Sequence, residues 1–325
     1  MRNLVCLSVA AALVVPVLAY GQDFSPDFTS TGDRILSDPT YLPLRGQIYG
    51  QTNYGYSQTN GHLFDSTAAQ TAATRNTLNT FGQRLQYGIT DALSVRAGLS
   101  YGFGVDRRAT PADTTSNDRN GFENPTFGAT YRLLDQRSHP ISFDVFGDWA
   151  PDLFPSKSAS LSQDGTVATG GPEADFGVAL GRETRMFTIQ GAFTDRYVGG
   201  TSTLNRTSGL STTAPSFWVP VLGVQTQTRF TPRLSANLGY AYNFQSRSVA
   251  VQPANGVAYT NQIGDSQTLN VSLNYHLIPN RLVGSVGYEH TFYDNRNQIY
   301  ADPTSDLLQT RTGDAMNVTL RYLFR

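Results

Sequence analysis

From Leu93 to Val105 the odd positions are apolar: Leu93, Val95, Ala97, Leu99, Tyr101, Phe103 and Val105. The even positions between them, Ser94, Arg96, Gly98, Ser100, Gly102 and Gly104, are small or polar. Side chains alternate across a strand, so this pattern predicts a strand with one greasy and one wet face. Phe81, Leu85 and Tyr87 alternate in the same way with Gly82, Arg84 and Gln86, and the turn residues Gly88-Ile89-Thr90-Asp91 join the two runs into a hairpin.

The unit recurs along the chain. A first strand is expected at about Leu44–Tyr56, with Arg45, Gln47, Tyr49, Gln51 and Asn53 on its wet face. A fourth is expected at about Phe122–Leu134. Further runs follow: Ile141–Trp149, Glu173–Leu180, Phe187–Arg196, residues 215–230, Leu234–Phe244, Thr268–Leu277, Leu282–Phe292 and Met316–Phe324. The run at 215–230 is the least regular. Its Phe217, Val219 and Val221 fall on the wet parity, and Pro220 predicts a bulge or bend there. Long polar loops are expected at 58–72, 106–119, 151–171, 198–213, 246–263 and 295–310. They alternate with short turns at 88–91, 135–139, 181–185, 231–232 and 278–280.

About twelve strands with this long–short alternation predict an all-β fold, a transmembrane antiparallel up-and-down β-barrel over residues 44–325. An even strand count places both termini on the short-turn, periplasmic side. Residues 22–43 carry no period and read as either a periplasmic lead or a plug.

Residues 1–21 read as a secretory signal peptide, with Arg2, an apolar run from Leu4 to Leu18 and cleavage after Ala19 or Gly21. The run is shorter than the roughly 20 residues that span a bilayer as a helix. The single cysteine, Cys6, lies inside it, so the mature chain has neither a disulfide nor a thiolate metal site. Export and barrel together place the protein in the outer membrane of a Gram-negative bacterium, with outer-membrane lipid and the barrel-assembly machinery as partners. The ending Tyr322-Leu323-Phe324-Arg325 resembles the aromatic C-terminal signal read by that machinery, with Arg325 as a departure.

The 17 Tyr and 18 Phe suit interfacial girdles. The formal net charge of −1 gives no basic excess, which argues against a nucleic-acid partner. His62, His139, His276 and His290 are scattered and no cofactor or metal is expected. An enzymatic barrel of the lipase or protease type is the alternative class. His290 and Asp314 share an outward parity, but no outward serine completes a nucleophile–base pair. No catalytic residue is assigned. A structural or adhesin barrel is a third reading.

The wet parity carries charge. Arg84, Arg96, Arg132 and Arg321 are expected on the lower inner wall, together with Arg45 and Arg229. Asp148, Glu173, Asp175 and Glu289 are expected higher, with Asp144 level with Arg96. Arg84, Arg96, Arg132, Asp144, Asp148, Glu173, Asp175, Glu289 and Arg321 are therefore the candidate pore-lining set. They either brace a narrow barrel through ion pairs or form a charged constriction. The function this supports is a porin-like channel or facilitator for passive transport of small solutes.

Two stretches resemble the outer-membrane family named for the MetA pathway of phenol degradation. One runs Tyr87-Gly88-Ile89-Thr90-Asp91-Ala92-Leu93-Ser94-Val95 and on to Leu99-Ser100-Tyr101. The other runs from Asn120 through Gly121-Phe122-Glu123-Asn124-Pro125-Thr126-Phe127-Gly128 to Leu134. The resemblance implies a transport barrel for small hydrophobic or aromatic compounds and carries over no binding residue.

Overall fold

The computed structural model describes residues 36–159, 163–184, 186–205, 210–245, 247–251, 258–279, 281–300 and 307–324. Residues 1–21, expected to be a signal peptide, residues 22–35 and Arg325 lie outside the described residues. Twelve strands form the wall: β1 (Ile48–Phe64), β2 (Gln70–Gly88), β3 (Leu93–Ala109), β4 (Thr114–Phe122 continued by Thr126–Leu134), β5 (Ser142–Ala150) and β6 (Glu173–Glu183). The second half is β7 (Phe187–Val198), β8 (Phe217–Arg229), β9 (Leu234–Asn243), β10 (Ser266–Ile278), β11 (Leu282–Tyr293) and β12 (Leu307–Phe324). Each pairs antiparallel with the next. β1 pairs with β12 from Ile48↔Phe324 to Phe64↔Leu308, which closes the barrel and leaves it no free edge.

Alternation decides which residues face out. Leu99, Leu238, Val271, Val286 and Leu320 stand exposed on the outer wall, Val286 at 63%. The most buried polar side chains, Ser94, Thr188, Gln227 and Asn274, each at 0%, point inward. A soluble protein inverts this arrangement; a strand facing hydrocarbon on one side and a polar lumen on the other requires it. On the outer wall Tyr322 lies over its cross-strand partner Gly50, where a Cβ would run into the ring, and its hydroxyl receives a hydrogen bond from Gln83.

The structure corrects several local expectations. The expected loops 246–263 and 295–310 carry paired strands, Arg247–Val251 with Tyr259–Ile263 and Tyr259–Ile263 with Arg296–Tyr300. The stretches 58–72 and 106–119 are not loops: β1 and β2 remain paired to Phe64↔Gln70, and β3 pairs with β4 up to Ala109↔Thr114. Apolar alternation stops where lipid stops, but Thr/Asn/Gln-rich strands keep their backbone bonds in water. Asp65 closes the β1–β2 tip by accepting from Thr67 N (2.9 Å), the Thr67 hydroxyl (2.6 Å) and Ala69 N (3.0 Å). β1 begins at Ile48 rather than Leu44, so Arg45 does not line the lumen. It sits exposed in a turn, with its N–H on Asp91 at 3.1 Å.

β4 is broken rather than continuous. Gly121 adopts φ +134°, and the carbonyl oxygen of the Asn124 side chain accepts from Leu153 N (3.1 Å) and Phe154 N (3.0 Å). This ties the loop after β5 to the gap. At Pro220 the β7–β8 register runs on without a shift; the proline marks where β8 outruns its pairing with β9.

Candidate functional site

The segment Leu36–Pro43, just before β1, lies across the short-turn end of the lumen. Leu36 (2% exposed), Leu42 (1%) and Asp38 (6%) are among the most buried residues of the chain. Gly46, at φ +79°, makes the turn that connects this strap to β1.

The strap touches walls all round. Leu36 packs with Tyr49 of β1 and Val283 of β11, joined by Tyr41 and Leu323. The Tyr41 and Tyr49 rings lie 5.3 Å apart. Ser37 receives Gln227 Nε2 on its carbonyl (3.0 Å) and hydroxyl (2.9 Å), and pairs with His276 Nε2 at 3.2 Å. Asp38 is the ionic anchor: its Oδ2 accepts from Arg229 (2.5 Å) and the Thr188 hydroxyl (2.6 Å), while Oδ1 takes Thr40 N (2.8 Å) and the Thr40 hydroxyl (2.7 Å). Arg229 also reaches Glu183 at 2.7 Å. On the far side Arg132 donates to Thr40 O at 2.6 Å. The strap runs so close to the wall that a Cβ at Gly88 would strike Pro43 O, together with Leu44 O just beyond it, and one at Gly181 would strike Thr40.

Above the strap the charged residues expected on the inner wall fall into two groups. Two of the four expected arginines, Arg96 and Arg132, are paired. Arg132 and Asp144 face each other across β4 and β5 in a two-point contact (2.8 and 2.9 Å), both nearly inaccessible. Arg96 reaches Asp148, rather than Asp144, through Nε (2.6 Å) and Nη2 (2.5 Å), with Nη1 on Thr130. Register explains the choice: Arg96, Gly128 and Asp148 occupy one hydrogen-bonded row of β3, β4 and β5. Only glycine fits in the middle, because a Cβ on Gly128 would collide with Asp148 Oδ1. Asp175 pairs with Arg196 of β7 at 2.9 Å.

The other group has no opposite charge beside it. Arg84 and Arg321 flank Gln51 in one row of β2, β1 and β12. Arg321 donates to the Ser285 hydroxyl (2.6 Å) and lies 3.4 Å from Asn274 Oδ1. Among the described residues neither has an ion-pair partner. Glu173 and Glu289 also lie on inward parity without an ion pair among the described residues, and Glu173 is close enough to Glu123 to act on it electrostatically. In the loop after β5, Val167 reaches back to the inner wall, where a Cβ on Gly102 would meet it at 2.9 Å.

Sequence reading found Arg229 but missed Asp38, Glu183 and Ser37 as its surroundings. The available signal was a lone carboxylate in the turn-like Ser37-Asp38-Pro39-Thr40, preceding a barrel whose lower wall is rich in arginine. On the outer wall His290 Nδ1 and Asp314 do meet, at 2.8 Å, with the Tyr288 hydroxyl donating to the same Oδ1 at 2.5 Å. No serine or cysteine lies on the outward faces of β10, β11 or β12 beside them.

Among solved structures the chain is similar to the COG4313 outer membrane channel from Pseudomonas putida F1, with a TM-score of 0.58 and 13% identity over 87% of this chain and 97% of that one. It is also similar to the transport unit of the autotransporter AIDA-I from Escherichia coli, with a TM-score of 0.56 and 11% identity over 87% and 93%. No family model and no curated protein matches the sequence. At these identities the likeness establishes the fold, that of the outer-membrane β-barrels.

Proposed function

We propose that this chain is an outer-membrane channel for small solutes, including hydrophobic and aromatic ones, whose periplasmic end is stoppered by the strap Leu36–Pro43. The observation that carries the reading is the way the strap is held. Its polar contacts go to inward side chains of β4, β7, β8 and β10, and one carboxylate, Asp38, serves as ionic anchor. A segment held by side-chain contacts alone, one ion pair, a few hydrogen bonds and the apolar packing of Leu36 and Leu42, can withdraw without unzipping any strand of the wall, because the barrel keeps its own closed ladder. Support for the channel reading comes from the fold shared with the COG4313 outer membrane channel. Support for apolar cargo comes from the resemblance of residues 87–101 and 120–134 to the phenol-pathway barrels, and from Val219 and Val221 on the inward parity of β8.

The charged rows then act as a liner. The ion pairs leave the wall from β3 to β7 largely neutral, and the unpaired groups offer contacts to whatever passes. The test is uptake by proteoliposomes. Protein lacking residues 22–43 should pass small aromatic solutes faster than the full-length mature chain. A stably inserted, strap-free barrel that passes no solute would overturn the channel reading.

A further inference from the structure

We infer that Arg84, Gln51 and Arg321 form a binding site for the carboxylate of a small organic acid, set directly above the strap. The inference rests on the channel reading for its solute, and adds the solute's chemical class.

Register carries it. Gln51 pairs with Arg84 on one side and with Arg321 on the other, so three neighbouring strands present two guanidinium groups and an amide in one inward row. The two arginine Cα atoms stand about 10 Å apart, two strand spacings. Arg321 Nη1 is held by Ser285 and lies 3.4 Å from Asn274 Oδ1, so an oxyanion is met by its remaining Nε and Nη2 donors together with the Arg84 fork, and Gln51 adds a further donor. Nothing in the wall supplies that anion. The inward residues of β1, β2 and β12 in the lower lumen are Tyr49, Asn53, Gly82, Gln86, Thr319 and Leu323, with no carboxylate among them. Like charges facing the same space are unfavourable unless an anion or water intervenes.

The surroundings suit an acid with an apolar or aromatic body. Below the row, Tyr49 lies within electrostatic reach of both arginines, its hydroxyl is 3.5 Å from Gln51 Oε1, and its ring packs against Tyr41 of the strap. Beside Arg84 the cross-strand neighbour is Gly98, and Gly82 lies two residues higher; Thr126 and Asn53 lean over these two glycines, so the wall beside Arg84 is formed by short polar groups. Glu289 and Glu173 lie toward the opposite end of the lumen, which favours a head-down orientation with the carboxylate at the floor. The closed row Arg96–Gly128–Asp148 is the internal control: same spacing, same parity, its arginine already satisfied.

The test is binding of fluorobenzoate to the full-length mature protein in detergent, read by fluorine NMR, with benzoate, inorganic phosphate and neutral fluorobenzyl alcohol as competitors. Saturable, salt-sensitive binding is expected, weakened about tenfold by Arg84→Gln or Arg321→Gln, as for loss of one charged hydrogen bond. Arg45→Gln, in the exposed turn, should leave it unchanged. Gln51→Glu places a carboxylate between the two guanidinium groups and should abolish binding in a barrel that still folds. Equal affinity in the Arg84→Gln/Arg321→Gln double variant would overturn the site. Displacement by phosphate at lower concentration than by benzoate, or equal binding of fluorobenzyl alcohol, would overturn the carboxylate assignment. No transport is measured, so a chain that binds without passing solute counts against the channel reading alone, and one that transports without binding counts against this site alone.

Discussion

Two rows of the inner wall have the same geometry and opposite chemistry. In Arg96–Gly128–Asp148 an arginine and an aspartate meet across a residue with no side chain, and the cation is consumed within the wall. In Arg84–Gln51–Arg321 two arginines flank an amide, and neither cation is consumed. The difference shows that charge on the wet parity of a barrel strand is met by an opposite charge within the wall in one row and is not in the other. What decides between the two is the middle residue and the far end of the row, which lie on neighbouring strands but are 20 residues apart in sequence in one row and 270 in the other.

The comparison is broken most severely at the most buried pair. Arg132→Ala strands Asp144 without a partner and removes a bond to Thr40 O; loss of one member of such a pair costs about 3–5 kcal/mol. Unfolding of the reconstituted barrel in urea should shift by that amount, and a variant as stable as wild type would show the paired wall to be dispensable.

Gly128→Ala is the next largest, expected to cost about 1–3 kcal/mol, because its Cβ wedges between Arg96 and Asp148. Loss of the heat-modifiable gel shift at a lower temperature is the readout. Asp38→Asn should cost the barrel little but loosen the strap, weakening its anchor to Arg229 by about 1.5–3 kcal/mol. It is checked by faster protease cleavage near residue 38 in detergent, and unchanged cleavage would remove Asp38 from its role as anchor. At the small end, Arg84→Gln should move stability by less than about 0.5 kcal/mol, since no ion pair is broken. A loss as large as that from Arg132→Ala would erase the distinction between the two rows.

Much of this was legible in the sequence. Strand number, facing and the inward set from Arg84 to Arg321 follow from a period of two, which one turn residue after another resets without loss of phase. Three features escaped for physical reasons. The outer hairpins at 58–72 and 106–119 lack apolar alternation because both their faces meet water, so periodicity falls silent where pairing continues. The choice of Asp148 over Asp144 by Arg96 depends on register between strands, to which alternation within a strand is blind. The strap has no period at all; its place is fixed by Asp38, Ser37 and Thr40 meeting partners on β4, β7, β8 and β10, a set that exists only in three dimensions.

That last fact constrains the order of assembly. The strap precedes β1, yet most of its anchoring side chains belong to strands from β7 onward, with Val283 and Leu323 in the final two. Its berth is absent until the C-terminal half has paired and β12 has met β1. Contacts between Ser37 and His276 span 239 residues, so their loop closes only after the shorter hairpins have formed. The strap, made before every strand of the wall, is therefore seated after all of them have paired.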